Sequence, residues 1–425
     1  MGDIKEYIKG FIDRSGNYVF LSTLFSRGLS FLGSWIALQL IDHEELGIIL
    51  FAFSIVQFII PIGGFGLHQS LIRYGALLNS NEEKQELFSY VLKKGIIASI
   101  LIIFLLNIIG YFIPFQFDKT YGYFSFLTLT ILTIFILEII KIQFRLQHKN
   151  KLYALSEFWY NVILVILIFI LSSYFDGFGY VVALIVSPLV TVLIFLKKLN
   201  IKLSSTNNLT ITNFYFWRYG FLGGISNVVT QLLILVDLIL IGHLMGDPIQ
   251  VTNYRYISII PFSLLFLPRV FITTDFVTFT EKIADRQYIA KYIKNYVQLF
   301  AIISIIILVG SYLFASEILS IFGKEYMMYS ESFLILIIGV IGIFLLRGVY
   351  GNLLASIGRI EVNYYIICAA LLINIISNHY LIPIYGIKGA AITSAILMWF
   401  TGILSWLSFV YLYKKKYKKT FKNKV

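Results

Sequence analysis

Twelve runs of about twenty mostly apolar residues follow one another along this chain, separated by short polar segments. An α-helix needs about 20 such residues to cross a hydrocarbon core of about 30 Å, and in lipid it must satisfy its backbone within the segment. The pattern predicts an all-α polytopic membrane protein with twelve transmembrane helices. The first six cover residues 18–40, 46–67, 90–113, 121–142, 155–175 and 177–196; the second six cover 217–241, 254–275, 296–314, 331–351, 364–384 and 389–413. Composition agrees, since 59% of residues are hydrophobic and 13% charged, against about 45–50% and about 25% in soluble domains. A chain of that make-up cannot clothe a water-facing surface of its own size. The single cysteine, Cys368, excludes an internal disulfide, and the scattered histidines (His43, His68, His148, His243, His379) lack metal-ligand spacing.

Basic residues set the orientation. With the N-terminus in the cytosol, inward segments counted together with the adjoining inner ends of the spans hold 28 of the 34 Lys and Arg, while outward segments hold only Lys119, Lys324 and Lys388. Cytosolic loops carry the Lys/Arg excess, so both termini are expected in the cytosol and the protein in the cytoplasmic (inner) membrane. A missed or invented span would scramble this alternation. The net charge of +12 therefore does not indicate nucleic acid. The tail of Lys414, Lys415, Lys416, Lys418, Lys419, Lys422 and Lys424 reads instead as an anchor on an anionic leaflet.

The two halves resemble each other, which predicts six-helix lobes over 1–200 and 201–425. Each ends with a basic loop, a span, a tight glycine turn and a final span. The turns are Phe175-Asp176-Gly177-Phe178-Gly179 and Tyr385-Gly386-Ile387-Lys388-Gly389. Amphipathic stretches, expected as cytosolic loops, fall at matching places over 81–94 and 281–295. Parallel repeats of this kind form transporters with the site between the halves near the midplane. Pro61-Ile62-Gly63-Gly64-Phe65-Gly66 should break the second span, and Pro261 and Pro268 should bend the eighth.

Further along, the chain takes on a specific likeness. Leu353-Leu354-Ala355-Ser356-Ile357-Gly358-Arg359, then Asn374-Ile375-Ile376-Ser377-Asn378, Leu381-Ile382-Pro383 and Tyr385-Gly386-Ile387-Lys388-Gly389-Ala390-Ala391 resemble the penultimate-helix signature of polysaccharide repeat-unit flippases. These belong to the multidrug/oligosaccharidyl-lipid/polysaccharide exporter superfamily. Ser26-Arg27-Gly28-Leu29 followed by Glu45-Leu46-Gly47 resembles the family's opening, with Gly28 departing from its usual run of larger residues. The resemblance implies a V-shaped, two-lobed transporter fold like that of the multidrug exporters. It also implies that an undecaprenyl-diphosphate-linked oligosaccharide moves from the cytosolic to the outer leaflet, among membrane lipids and beside other glycan-assembly membrane proteins.

An ionisable group inside a span costs at least a few kcal/mol and is a candidate functional residue. Arg27 lies about ten residues into the first span; Arg269 and Arg347 lie in the cytosolic halves of the eighth and tenth. Arginine pairs with phosphate through a planar fork, so these three are the candidate ligands of the diphosphate. Internal pairing of Arg27 with a carboxylate, and snorkelling of Arg347 to the interface, are the structural alternatives. Glu138 and Lys141, three apart, read as a local ion pair, and Glu157 as a carboxylate in a first helical turn.

Asp237, in the outer third of the seventh span, has no base within a turn or two. By depth it shares a layer with Asn374 and Asn378 on the eleventh span and with Thr393 and Ser394 on the twelfth. This oxygen set suits a coupling cation, Na⁺ or H⁺. Flippases of the superfamily resemble this arrangement, although Asn378 stands where they carry a second carboxylate. Interhelical amide hydrogen bonding around a protonated Asp237 is the alternative. No organic cofactor is implied. A multidrug cation antiporter of the same superfamily would share fold and repeats. A glycan polymerase or ligase would need a large outward loop, and the longest here, 315–330, has no carboxylate-histidine or nucleophile set.

Overall fold

The computed structural model describes residues 16–78, 80–199 and 212–417, and nearly all of them are helical. The first half comprises α1 (Gly16–Leu40), α2 (His43–Ile59), α3 (Leu67–Gly75), α4 (Asn81–Phe112), α5 (Thr120–Leu127), α6 (Leu129–Leu146) and α7 (Asn150–Leu196). Then follow α8 (Phe214–Met245), α9 (Pro248–Ser263), α10 (Phe266–Glu281), α11 (Arg286–Ser320), α12 (Ser330–Gly342), α13 (Gly348–Ser356), α14 (Ile360–Tyr385) and α15 (Ile387–Tyr417). Local chemistry starts several of them. The Asp42 carboxylate accepts the Glu44 and Glu45 N–H groups at 3.0 and 3.3 Å to open α2. Ser80 and Glu83 cap α4 reciprocally, and Asp285 accepts the Gln287 and Tyr288 N–H groups to open α11. Each such cap contributes about 1 kcal/mol. The amphipathic stretches expected as loops over 81–94 and 281–295 are therefore largely the first turns of α4 and α11, continuous with the spans.

Ten helices among the described residues are long and apolar enough to cross a membrane. One of them, Lys151–Leu199, would measure about 70 Å if straight, more than twice a bilayer core. It breaks at Phe175–Asp176, where Asp176 takes φ 48° and ψ −132°. There the chain folds back so tightly that a Cβ on Gly179 would strike the Leu171 carbonyl. The expected fifth and sixth spans are the two arms of that helix, and the expected first span is α1. α1 carries Arg27 and is not among the ten.

The turn at the end of the second half has the same form. Gly386 takes φ 57° and ψ −138°, and a Cβ on Gly389 would strike the Leu381 carbonyl. The preceding connections match as well. His148 (φ 57°) and Gly358 (φ 79°) are both left-handed, and the next N–H in each case donates back five residues, Lys149 to Phe144 and Arg359 to Leu354, at 2.8 and 2.9 Å.

The second span breaks where Pro61 and its glycines indicate. Between α2 and α3 the chain makes a left-handed turn through Gly64 (φ 58°), Phe65 (φ 53°) and Gly66 (φ 68°). The Gly64 N–H donates to Ser99 Oγ at 2.9 Å, so this buried donor of the broken helix is satisfied. The eighth span likewise divides into α9 and α10 between Pro261 and Pro268. The segment expected as an outward loop over 315–330 is mostly helical: α11 runs on to Ser320 past a kink at Phe314, and Lys324–Tyr329 forms a 3₁₀ turn. Packing explains this, because Phe322 and Tyr326 are buried with their rings 5.4 and 6.2 Å from that of Tyr256.

Contacts divide the chain into two compact units. One is Phe25–Thr252; the other takes Asn253 onward together with the residues before Phe25. The 200/201 boundary lies outside the described residues, and α8 packs with the first unit. Its glycines permit close approach: Gly220 meets Gly66 backbone to backbone, and Gly242 lies against the Phe51 ring. Ser70 Oγ donates to the Phe216 carbonyl at 2.6 Å, and Trp217 Nε1 to the Tyr90 hydroxyl at 3.1 Å. The family-like Glu45 and Gly47 are likewise packing residues in this unit. Glu45 is hydrogen-bonded by the Tyr123 hydroxyl, and Gly47 meets the Pro248 backbone where a Cβ could not fit. In the other unit the core centres on Tyr296, Phe300, Phe344, Tyr350 and Phe409.

Candidate transport site

Every charge placed within a span must find a counter-charge, a hydrogen-bond set or a ligand. In the Phe25–Thr252 unit, Lys141 finds two counter-charges. Its ammonium is 2.7 Å from Glu138 on α6 and 2.5 Å from Glu157 on α7. The lysine side chain is 7% exposed, while each glutamate is 41% exposed. The Tyr153 ring lies 5.7 Å from the ammonium. The expected Glu138–Lys141 pair is present, but the sequence reading did not include Glu157 in it. Lys141 and Glu157 are equidistant in sequence from Lys149, so the α6–α7 hairpin brings them level; that spacing was the available signal.

In the other unit, Arg347 finds only neutral partners. It ends a π-turn, Ile343–Arg347, between α12 and α13. Turns of this type are frequent at functional sites. Helix α15 comes close enough at Gly402 that a Cβ there would lie 3.3 Å from the Arg347 nitrogen. Nη1 of Arg347 donates to Asn363 Oδ1 at 2.9 Å and to Ser405 Oγ at 2.5 Å. Asn363 Nδ2 is anchored on the Gly351 carbonyl at 2.7 Å, and Ser405 Oγ on the Thr401 carbonyl at 2.7 Å. Among the described residues no carboxylate pairs with this guanidinium. Sequence reasoning singled out Arg347 but not Asn363 or Ser405, which come from α14 and α15.

The expected oxygen layer is buried. Asn374 and Asn378 are 1% and 0% exposed, and Asn378 Nδ2 donates to Asn374 Oδ1 at 2.6 Å. Thr393 is also buried, its hydroxyl without a hydrogen-bond partner among the described residues, and Ser394 is 8% exposed. Because Gly389 meets Leu381 across the turn, one further turn down each helix sets Thr393 level with Asn378. Asp237 is 1% exposed on α8, in the other unit. Arg27 belongs to the same unit as Asp237, while Arg269 stands in the first turn of α10, in the unit of Arg347. Both arginines are exposed, and both, like Asp237, interact with neighbouring groups of the protein.

Broken helices, paired hairpins and polar groups held within apolar spans define a multi-pass membrane protein with a transporter fold. Solved structures of this fold agree. The chain is similar to an inward-facing multidrug resistance MATE family transporter of the MOP superfamily, with TM-score 0.68 and 14% identity, covering 93% of this chain and 96% of that one. It is also similar to the lipid II flippase MurJ in an inward closed conformation, with TM-score 0.71 and 20% identity, covering 91% and 86%. A Vibrio cholerae MATE transporter, VcmN in its bent form, matches with TM-score 0.61 and 15% identity over 98% and 99%. No curated protein sequence matches. Residues 14–269, more than half of the chain, match the profile of the polysaccharide biosynthesis protein family, and the chain belongs to that family. The solved structures that share its fold are described as transporters and as a flippase.

Proposed function

We propose that this protein carries undecaprenyl-diphosphate-linked oligosaccharide repeat units, of the kind used for O-antigen and other surface glycans, from the cytosolic to the outer leaflet of the cytoplasmic membrane. Membership of the polysaccharide biosynthesis family on a transporter fold is the observation that carries this reading. Alternating access of two six-helix repeats, with both termini in the cytosol, is the proposed mode. The matching turns at His148 and Gly358 and at Asp176 and Gly386 support the repeat. Arg27, Arg269 and Arg347 are the proposed diphosphate ligands, since a guanidinium fork at membrane depth suits phosphate oxygens. For coupling we propose Na⁺ or H⁺, with Asp237 and the Asn374, Asn378, Thr393 and Ser394 layer as the residues concerned.

Arg27→Ala should abolish glycan export at normal protein levels, and Arg27→Lys should rescue poorly because an ammonium lacks the fork. Full export by Arg27→Ala would sink the assignment. Likeness to MATE transporters keeps a second reading, efflux of amphipathic cations. The same cells answer it: drug resistance conferred by wild type without glycan export would favour efflux.

A further inference from the structure

The two halves each place a base within a span near equivalent points, Lys141 buried and Arg347 half-buried, and only Lys141 has its counter-charge built in. Gly358 stands to His148 as Gly386 stands to Asp176, at one interval of 210 residues (358 − 148 and 386 − 176) with matching backbone conformations. At that interval Gly351 corresponds to Lys141, Gly348 to Glu138, Asn363 to Tyr153 and Ile367 to Glu157. A Cβ on Gly351 would lie 3.6 Å from three atoms of the Arg347 guanidinium. Arg347 therefore lays its guanidinium against the chain position that corresponds to Lys141 in the first half. There the resemblance stops. Both positions that supply carboxylates to Lys141 are apolar in the second half, and Asn363 and Ser405 offer neutral oxygens.

Hydrogen bonding leaves one edge of Arg347 available. Its two bonds both leave from Nη1. Nε and Nη2 make no hydrogen bond or ion pair among the described residues, and together they form the parallel pair of donors that grips a tetrahedral oxyanion. Asn363 and Ser405, each tied to a backbone carbonyl, hold the opposite edge still. Depth narrows the ligand. Gly351 lies five residues before the end of α13 at Ser356, about 8 Å along the axis. Asn363 is in the first turn of α14. On the proposed topology this is just inside the cytosolic surface, at the level where lipid phosphates meet the hydrocarbon.

We infer that Arg347, positioned by Asn363 and Ser405, binds the phosphate group of a lipid in the cytosolic leaflet. The inference deepens the transporter reading and rests on its topology. The lipid is either the polyprenyl diphosphate of the cargo or an anionic phospholipid, which share this chemistry.

Native mass spectrometry of the full-length protein in detergent would test it, with polyprenyl diphosphate, phosphatidylglycerol and a phosphate-free glycolipid as probes. Wild type should retain a phosphate lipid in preference to the glycolipid. Arg347→Gln should weaken that retention by roughly tenfold or more, the scale of a lost charge-assisted pair. Asn363→Asp keeps the shape but supplies the missing carboxylate, and it should weaken retention by a similar factor while leaving glycolipid retention unchanged. A residue with only a structural role would not respond to that isosteric change. Ser405→Ala should give a smaller loss. Dependence confined to polyprenyl diphosphate identifies the cargo; dependence on phosphatidylglycerol identifies a bilayer lipid. Unchanged retention of both phosphate lipids in Arg347→Gln and Asn363→Asp overturns the inference. Absent glycan export by wild type would sink the transport reading alone, because lipid retention is read without transport.

Discussion

Removing the ammonium of Lys141 isolates the energetic role of the ion cluster in the first unit. The two carboxylates that flank it, at 2.7 and 2.5 Å, are at most about 5 Å apart. Without the lysine they face each other, and at an effective dielectric of about 20 their repulsion is about 3 kcal/mol. Both are 41% exposed, so water screens part of that, leaving about 1–2 kcal/mol. Two lost charge-assisted bonds bring the expected cost of Lys141→Met to about 2–4 kcal/mol. Glu138→Gln alone should cost under about 1 kcal/mol, because Lys141 and Glu157 remain a neutral pair. Lys141→Met with Glu138→Gln should recover part of the loss, since one carboxylate then has no opponent. Unfolding of the four proteins in mixed micelles gives the complete double-mutant cycle. Equal stability of Lys141→Met and wild type, or no recovery in the double variant, would refute this account of the cluster.

Two further outcomes are expected. Asp176 holds a conformation that Gly386 holds in the second half (φ 48° against 57°), and a side chain is strained there. Asp176→Gly should therefore stabilise the protein by about 1 kcal/mol and Gly386→Ala should destabilise it by at least as much, read in the same micelles. For topology, single cysteines at Asp247 and Lys149 in a Cys368→Ser background should differ, with only Asp247→Cys reached by an impermeant reagent from outside. Labelling of both, or of Lys149→Cys alone, would overturn the orientation.

Most of the architecture was legible in the order of residues because its causes are local. A run of apolar residues must be helical in lipid whatever its neighbours do. Pro61-Ile62-Gly63-Gly64-Phe65-Gly66 breaks the second span through its own backbone preferences, and the turn at Gly386 folds back for the same reason. A count of residues along each helix gives the depth of Asn374, Asn378 and Thr393, but their burial depends on which face each helix turns to its neighbours. The helical course of 315–330 did not follow, because it depends on Tyr256 covering Phe322 and Tyr326 from another helix.

What tertiary structure alone decided is which charges meet. Helical periodicity placed Lys141 beside Glu138, but Glu157 reaches it only because a left-handed residue at His148 closes α6 onto α7. Arg347 could have snorkelled to water. Its guanidinium instead meets Asn363 and Ser405, because Gly402 lets α15 approach the π-turn and α14 returns beside Gly351. The grouping of α8 with the first unit was also decided by packing, through the Gly66 and Gly220 backbones. Apolar transfer into lipid is non-directional and can be read by counting. Pairing of buried polar groups depends on side-chain positions within a few tenths of an ångström, and only the packed helices set those.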